Sequence, residues 1–243
     1  MIMEFPTKED WIEIEKTYPF KRLKIKKQDF RLKPVQGFKD VIQMTRNIEI
    51  FHWKIILNNR LCNVIKSYVM LMFYYGKGIP DDEWYISPGK KGMSVQFFPH
   101  FKKQHFIIKA SFNYYADIFF YMIFSSWDTL WQLLNVFYDL GLKENDVNLD
   151  IFYQKIKDKN VRFHKFLTKL KGDHKYKKIK DLRRSITHIV QTGEITSGVD
   201  RTKENKIRVG IGKYIPSKEI VNSVMDALNL FAETIDKAIE TSK

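Results

Sequence analysis

The chain has 243 residues, 44% of them hydrophobic and 15% aromatic, which is enough to bury one sizeable core and too apolar for a disordered chain. Cys62 is the single cysteine, which excludes an intramolecular disulfide or a cysteine-built zinc site and predicts a reducing, cytoplasmic setting. The 42 Lys and Arg outnumber the 28 Asp and Glu, leaving a formal charge of +14 that points to polyanions as partners.

The first residues, MIMEFPTKEDWIEIEK, are acidic where a secretory leader is basic, so none is expected. Residues 1–37 read as an irregular, partly helical basic arm, punctuated by Pro6, Pro19, Pro34 and Gly37 around the run KRLKIKK. The helical domain follows at 38–243. Its first helix is predicted from Phe38 to about Tyr75, with Val41, Met44, Ile48, Phe51, Ile55, Leu61, Ile65, Val69 and Met72 on one inward face. Glycines and prolines then mark a long loop over 76–104, with short strands at 94–98 and 105–108.

A second long helix is predicted from about Ala110 to Leu140, stopped by Gly141 and apolar on nearly every side, as the central helix of a bundle is. Its Asn113, Asp117, Asp128 and Asp139 argue against a membrane span, because a carboxylate at a bilayer centre costs about 3 kcal/mol. Its aromatic residues read as core packing. Asn148 caps a helix at 149–158, a basic helix covers 160–171, and Asp173 caps a helix at 174–190 with Ile179, Leu182, Ile186 and Ile189 inward. A polar loop at 191–206 and a strand in IRVGIGKYI precede a last helix from Ser217 to about Glu240. The expected class is mainly α: an antiparallel helical bundle with a long Gly/Pro-punctuated loop and short strands.

The charge is unevenly spread. Residues 155–184 carry 13 cations and 3 acids, residues 16–39 carry 9 and 1, and the remainder is mildly acidic. Two basic segments on an acidic body suit a polyanion-facing surface. The competing reading is a solvated Lys-rich face produced by coding bias, since Lys outnumbers Arg 33 to 9 and Ala occurs five times. No HxxxH, HExxH or GxxxxGK[ST] occurs, and Asp81, Asp82 and Glu83 read as a solvated turn, so no metal and no cofactor is expected.

One helix carries chemistry: DHKYKKIKDLRRSITHIVQ, with Lys177, Lys178, Lys180 and Arg184 exposed beside Arg183 and His188. An imidazole exchanges protons near neutral pH, and a guanidinium forks onto phosphate oxygens. Together they suffice for RNA cleavage with the 2′-hydroxyl as internal nucleophile. On an ideal helix Arg184 and His188 share a face, while Arg183 stands roughly 140° away from His188.

The Arg-x4-His spacing inside an all-α bundle resembles the Rx4–6H signature of the HEPN superfamily. The stretches WYISPGKKG (84–92), FFPHF (97–101), SSWDTLWQLLN (125–135) and RRSITH followed by GKY-x-x-S-x-E-I (212–220) are similar to one bacterial HEPN family. The likeness spans roughly residues 50–240 and leaves the arm outside. It implies a metal-independent endoribonuclease of the toxin or phage-defence type. Arg183 and His188 would be catalytic, and Arg184, Lys177, Lys178 and Lys180 would contact RNA or a nucleotide. It also implies a homodimer pairing two motifs in one cleft, and an antitoxin or other regulatory partner. HEPN signatures usually carry Asn, Asp or His after the Arg, where this chain has Arg184. A second match, Arg46, Asn47 and His52 in RNIEIFH, ranks lower because Ile48, Phe51 and Ile55 around it read as core. A non-catalytic RNA-binding module and a scaffold bundle stay open as alternatives.

Overall fold

Helix starts in this chain are made by side chains that take up otherwise orphaned backbone N–H groups. Thr7 and Asp10 form a capping box at α1 (Lys8–Glu15). Asn148 accepts from Asp150 and Ile151 at the start of α4 (Leu149–Ile156), and Asn160 accepts from Phe163 at the start of α5 (Val161–Gly172). Asp173 Oδ1 accepts from Lys175 N at 2.7 Å and Tyr176 N at 3.1 Å at the start of α6 (His174–His188). Two 36-residue helices, α2 (Val41–Gly76) and α3 (Lys103–Tyr138), and the closing α7 (Ser217–Thr241) complete the helical set. Two small antiparallel pairs accompany them: β1 (Tyr85–Ile86) with β2 (Gln96–Phe97), and β3 (Val199–Arg201) with β4 (Ile207–Val209), the latter in register Val199 to Val209. The class is therefore mainly α, as expected.

This computed structural model describes residues 4–31, 41–188, 193–201 and 207–242, with the side chains of Thr187, His188, Asp200, Arg201 and Arg208 outside the description. Backbone contacts divide the chain into two units, Met1–Thr17 with Ser67–Phe120 and Lys178–Met225, and Tyr18–Lys66 with Tyr121–Lys177 and Asp226–Lys243. In the first unit, Tyr68, Leu71 and Tyr74 of α2, Phe112, Phe119 and Phe120 of α3, Ile179 of α6 and Val224 of α7 are buried. Tyr74 stacks on Tyr115 at 5.8 Å.

The second unit is centred on the tryptophans of α3. Trp131 stacks on Phe152 at 5.3 Å, and Trp127 meets Phe231 and Tyr176 edge-on at 5.2 and 5.6 Å. Trp127 is 2% exposed, and its indole N–H has no acceptor among the described residues. Trp127→Ala is expected to cost about 3–5 kcal/mol by opening a cavity. Trp127→Phe keeps one aromatic ring and removes the unsatisfied donor, so a smaller loss of about 1–2 kcal/mol is expected by urea unfolding. Equal losses for both variants would show that the ring packing does not carry the cost.

The basic run is not loose here. Tyr18, Phe20, Leu23, Ile25 and Phe30 are buried in the second unit, with a 3-10 turn at Phe20–Leu23. Asn58 pairs with both the N–H and the carbonyl of Ile25 at 3.1 Å each.

Several expectations need correction. α3 begins at Lys103 rather than 110, so the strand expected at 105–108 is helix. The strand placed at 94–98 is the two-residue β2, and β3 lies within what reads as a polar loop. The α3 chain turns at Asp139 (φ 55°) as well as at Gly141 (φ 68°), two residues early. The predicted apolar face of α2 is displaced. Val41, Met44, Ile48, Phe51 and Ile55 are 45–62% exposed, Leu61 and Val69 are buried as expected, and Ile50, Leu57, Val64, Tyr68 and Leu71 are buried beside them. The helix is apolar on two sides, and the true stripe runs one position out of phase with the expected one until Leu61. Phe38, at the expected start of this helix, and Ile189, expected inward in the 174–190 helix, lie outside the described residues.

Candidate functional site

Helix α6 sorts its residues by phase. Tyr176, Ile179 and Leu182 are buried and Arg183 is half-buried on that side, while Lys177, Lys180 and Arg184 are exposed on the other. His188 is the last helical residue, one turn beyond Arg184 and in phase with it. The helix thus brings the exposed cations and the backbone position of His188 to one face, and leaves Arg183 turned away from them. Lys178 faces Glu219 across 3.7 Å, so part of its charge is engaged within the chain.

Gly193, five residues beyond the end of α6, is held by a buried polar cluster in the first unit. Lys109 on α3 is 8% exposed and donates from Nζ to the carbonyl of Gly193. Its ammonium lies 5.1 Å from the Tyr214 ring and 5.5 Å from the Phe98 ring. Burial pushes the amine below its ordinary value, against the pull of the Asp81 and Glu194 carboxylates. Gly193 adopts φ 76°, and a Cβ there would collide with Asn113 Oδ1, so glycine answers both the backbone and the close approach.

Asp81, 1% exposed, completes the cluster. Its Oδ2 accepts from the Tyr214 hydroxyl, from Ser217 N at 3.0 Å and from Ser217 Oγ at 2.7 Å. A carboxylate at the first N–H of α7 meets the positive end of the helix dipole. Asp81 is therefore not the solvated turn residue its sequence neighbours suggest, although Asp82 and Glu83 are exposed. Sequence reasoning missed Lys109 and read Asp81 only as part of a solvated turn. Tyr214 and Ser217 were in view only as letters of GKY-x-x-S. The long loop closes over the same tyrosine: Trp84 lies 5.3 Å and Phe98 5.3 Å from its ring.

Burial, reinforced by the Asp81 carboxylate, holds the Tyr214 phenol well above its ordinary value of 10.0, and burial does the same for Tyr176 in the second unit. A phenol whose folded pKa is raised contributes stability that is full below about 10 and is lost as pH rises through the folded value. Lys109 acts oppositely: its lowered pKa makes stability rise with pH between the folded value and 10.5. In an alkaline titration, Tyr176 and Tyr214 phenolate absorbance is expected to appear only together with loss of helical circular dichroism. All 12 tyrosines ionising in one step with helicity intact would refute this.

The lower-ranked motif lies in the second unit. Arg46 Nη2 donates to the carbonyls of Val136 and Phe137 at 3.3 and 3.1 Å, and Nη1 stands 3.6 Å from Asp139. The guanidinium thus caps the C-terminus of α3. Arg46, Glu49, His52, Trp53, Asn135 and Asp139 line a cavity of about 400 Å³. Asn47 is half-buried and His52 is exposed. The core packing expected around this motif is absent, since Ile48, Phe51 and Ile55 are exposed. Arg46 is instead engaged by helix capping, a different reason for the same low rank. Among the described residues no group of three or more His, Cys, Asp or Glu is placed to hold a metal, and no helix is long and apolar enough to cross a membrane.

A mainly helical fold with an Arg-x4-His helix is the arrangement expected of a HEPN-type domain. The Cthe2314-like HEPN family model matches residues 53–243, most of the chain, and the protein belongs to that family. The matched range contains Arg183, His188, Lys109, Asp81 and Tyr214, and it begins just after His52. No curated protein and no solved structure matches the chain.

Proposed function

We propose that this protein is a metal-independent HEPN-type endoribonuclease acting in the cytoplasm as a toxin or phage-defence effector. The observation that carries the reading is membership of a HEPN family whose match includes the Arg183–His188 helix and excludes the rival Arg46–His52 motif. His188 takes the proton from the 2′-hydroxyl as its oxygen bonds to phosphorus, and the bond from phosphorus to the 5′-oxygen breaks, that oxygen gaining a proton. Arg183 neutralises charge growing on the phosphate oxygens. The products are a 2′,3′-cyclic phosphate and a 5′-hydroxyl. Lys177, Lys178, Lys180 and Arg184 draw the RNA backbone to the helix.

Positions 183 and 188 stand roughly 140° apart on an ideal helix, so the reading includes a homodimer in which Arg183 of one copy and His188 of the other serve one phosphate. A regulatory partner such as an antitoxin belongs to the same reading. A second reading is favoured by Arg184, which stands where HEPN signatures usually carry Asn, Asp or His: a non-catalytic domain that binds RNA or nucleotide. Purified full-length protein incubated with RNA in EDTA separates the two. Cleavage lost in His188→Ala supports the nuclease, and RNA recovered intact from wild type supports the binding module.

A further inference from the structure

The basic run at residues 20–31 lies outside the matched family range and is not used by the proposed chemistry. It is nevertheless built as a surface. Phe20, Leu23, Ile25 and Phe30 are 1–7% exposed, and the residues between them, Lys21, Arg22, Lys24, Lys26 and Lys27, are exposed. The buried side chains fix the backbone, so the cations project from a pinned segment rather than from a free arm. Three further contacts hold it. The Asn58 amide pairs with Ile25, buried Lys54 donates to the carbonyl of Lys27 at 3.3 Å, and Arg22 bonds Asp236 of α7 at 2.7 Å.

These residues wall a cavity of about 900 Å³ whose five cations, Lys21, Arg22, Lys24, Lys26 and Arg31, stand against three acids. Of those acids, Asp236 is paired with Arg22, Glu240 with Lys237, and Asp29 accepts from the backbone N–H of Lys26. Among the described residues only Arg22 of these cations forms an ion pair. The apolar lining is limited to Phe30, 2% exposed, and half-buried Ile239. A protein partner would need an apolar centre to its interface, which this surface lacks. A phosphate backbone needs spaced cations and neutral donors, here joined by Gln28 and Ser242. No ring is exposed in the cavity for a base to stack on, so the contact carries no base preference.

We propose that segment 20–31 is a second, sequence-independent docking site for the phosphate backbone of RNA, built on the family domain by this chain's own N-terminal residues. RNA as the polyanion rests on the function proposed above, and the test separates the two.

The full-length His188→Ala protein is titrated with two labelled unstructured RNAs of different sequence across a range of salt. Lys21→Gln, Lys24→Gln and Lys26→Gln combined are expected to lower the slope of log affinity against log salt by about 2, at roughly 0.7 per lost single-strand phosphate contact. This corresponds to about a hundredfold weaker binding near 0.1 M salt, equal for both RNAs. A second triple of exposed lysines, Lys90, Lys91 and Lys143 to Gln, is expected to leave the slope unchanged. Equal slope changes for the two triples, an unchanged slope for the first, or no RNA binding at low salt each overturn the proposal. If wild type never cuts RNA but the first triple alone loses slope, the nuclease reading falls and the docking site stands. If wild type cuts RNA and the slope holds, the docking site falls alone.

Discussion

His188→Ala is expected to slow RNA cleavage by about 10²–10⁴-fold, the usual contribution of a positioned general acid or base. The loss should lie in the chemical step and not in binding, because the surrounding cations still attract the backbone and alanine removes none of them. Single-turnover cleavage at saturating RNA measures this directly. The wild-type rate is expected to depend on pH through the protonation of a histidine, and the variant is expected to lose that dependence. Arg183→Lys makes the companion test. Lysine keeps the charge but not the fork, so a rate close to wild type would mean that Arg183 offers only a point charge. Mixing His188→Ala with Arg183→Ala protein adds a third readout. Under a shared cleft, mixed dimers contain one site with both groups intact, so activity returns; no recovery would put both groups of a site on one chain.

Asp81→Ala is expected to destabilise the protein by about 3–5 kcal/mol, in the range for removing one member of a buried charged network. Three donors lose their acceptor together: the Tyr214 hydroxyl, the Ser217 hydroxyl and the first N–H of α7. Each is left in a site where water does not readily replace the carboxylate, since Asp81 is 1% exposed. Lys109, 8% exposed, also loses one of the two carboxylates that favour its charge. For a chain of this size the loss corresponds to a fall in Tm of roughly 6–20 °C. Asp81→Asn retains an acceptor for Ser217 but not the charge, and an intermediate loss of about 1.5–3 kcal/mol is expected. Thermal melting followed by circular dichroism checks both, and a fall below about 3 °C for Asp81→Ala would show that the cluster is dispensable. The consequence for function runs through Gly193, whose carbonyl Lys109 holds five residues beyond His188.

The parts of this protein legible in its sequence are those governed by neighbours in the chain. Asn148 and Asp173 were readable as helix caps because a cap bonds two or three residues ahead. The helices near 149–158, 160–171 and 174–190 followed from those caps and from regular apolar spacing. The start of α3 was not readable, because HFIIKASF alternates and repeats well enough for either strand or helix. On α2 the period was visible but not the phase. Ile48, Phe51 and Ile55 and the set Ile50, Leu57 and Val64 are equally apolar stripes, and only packing chose the second.

The site divides in the same way. The Arg183–His188 spacing, their angular separation and the cations along α6 follow from the sequence and from 3.6 residues per turn. So does the family, through motifs spread along the chain. The burial of Asp81 beside exposed Asp82 and Glu83 does not follow, since three adjacent carboxylates differ only in what approaches them. Tyr214 and Ser217 lie more than 130 residues away along the chain, and folding alone brings them to one oxygen. The basic run at 20–31 shows the division most sharply. Its charge is a property of composition, already contained in the total of +14. Its rigidity is a property of the fold, because Phe20, Leu23, Ile25 and Phe30 must find a core before the lysines between them can hold a fixed spacing.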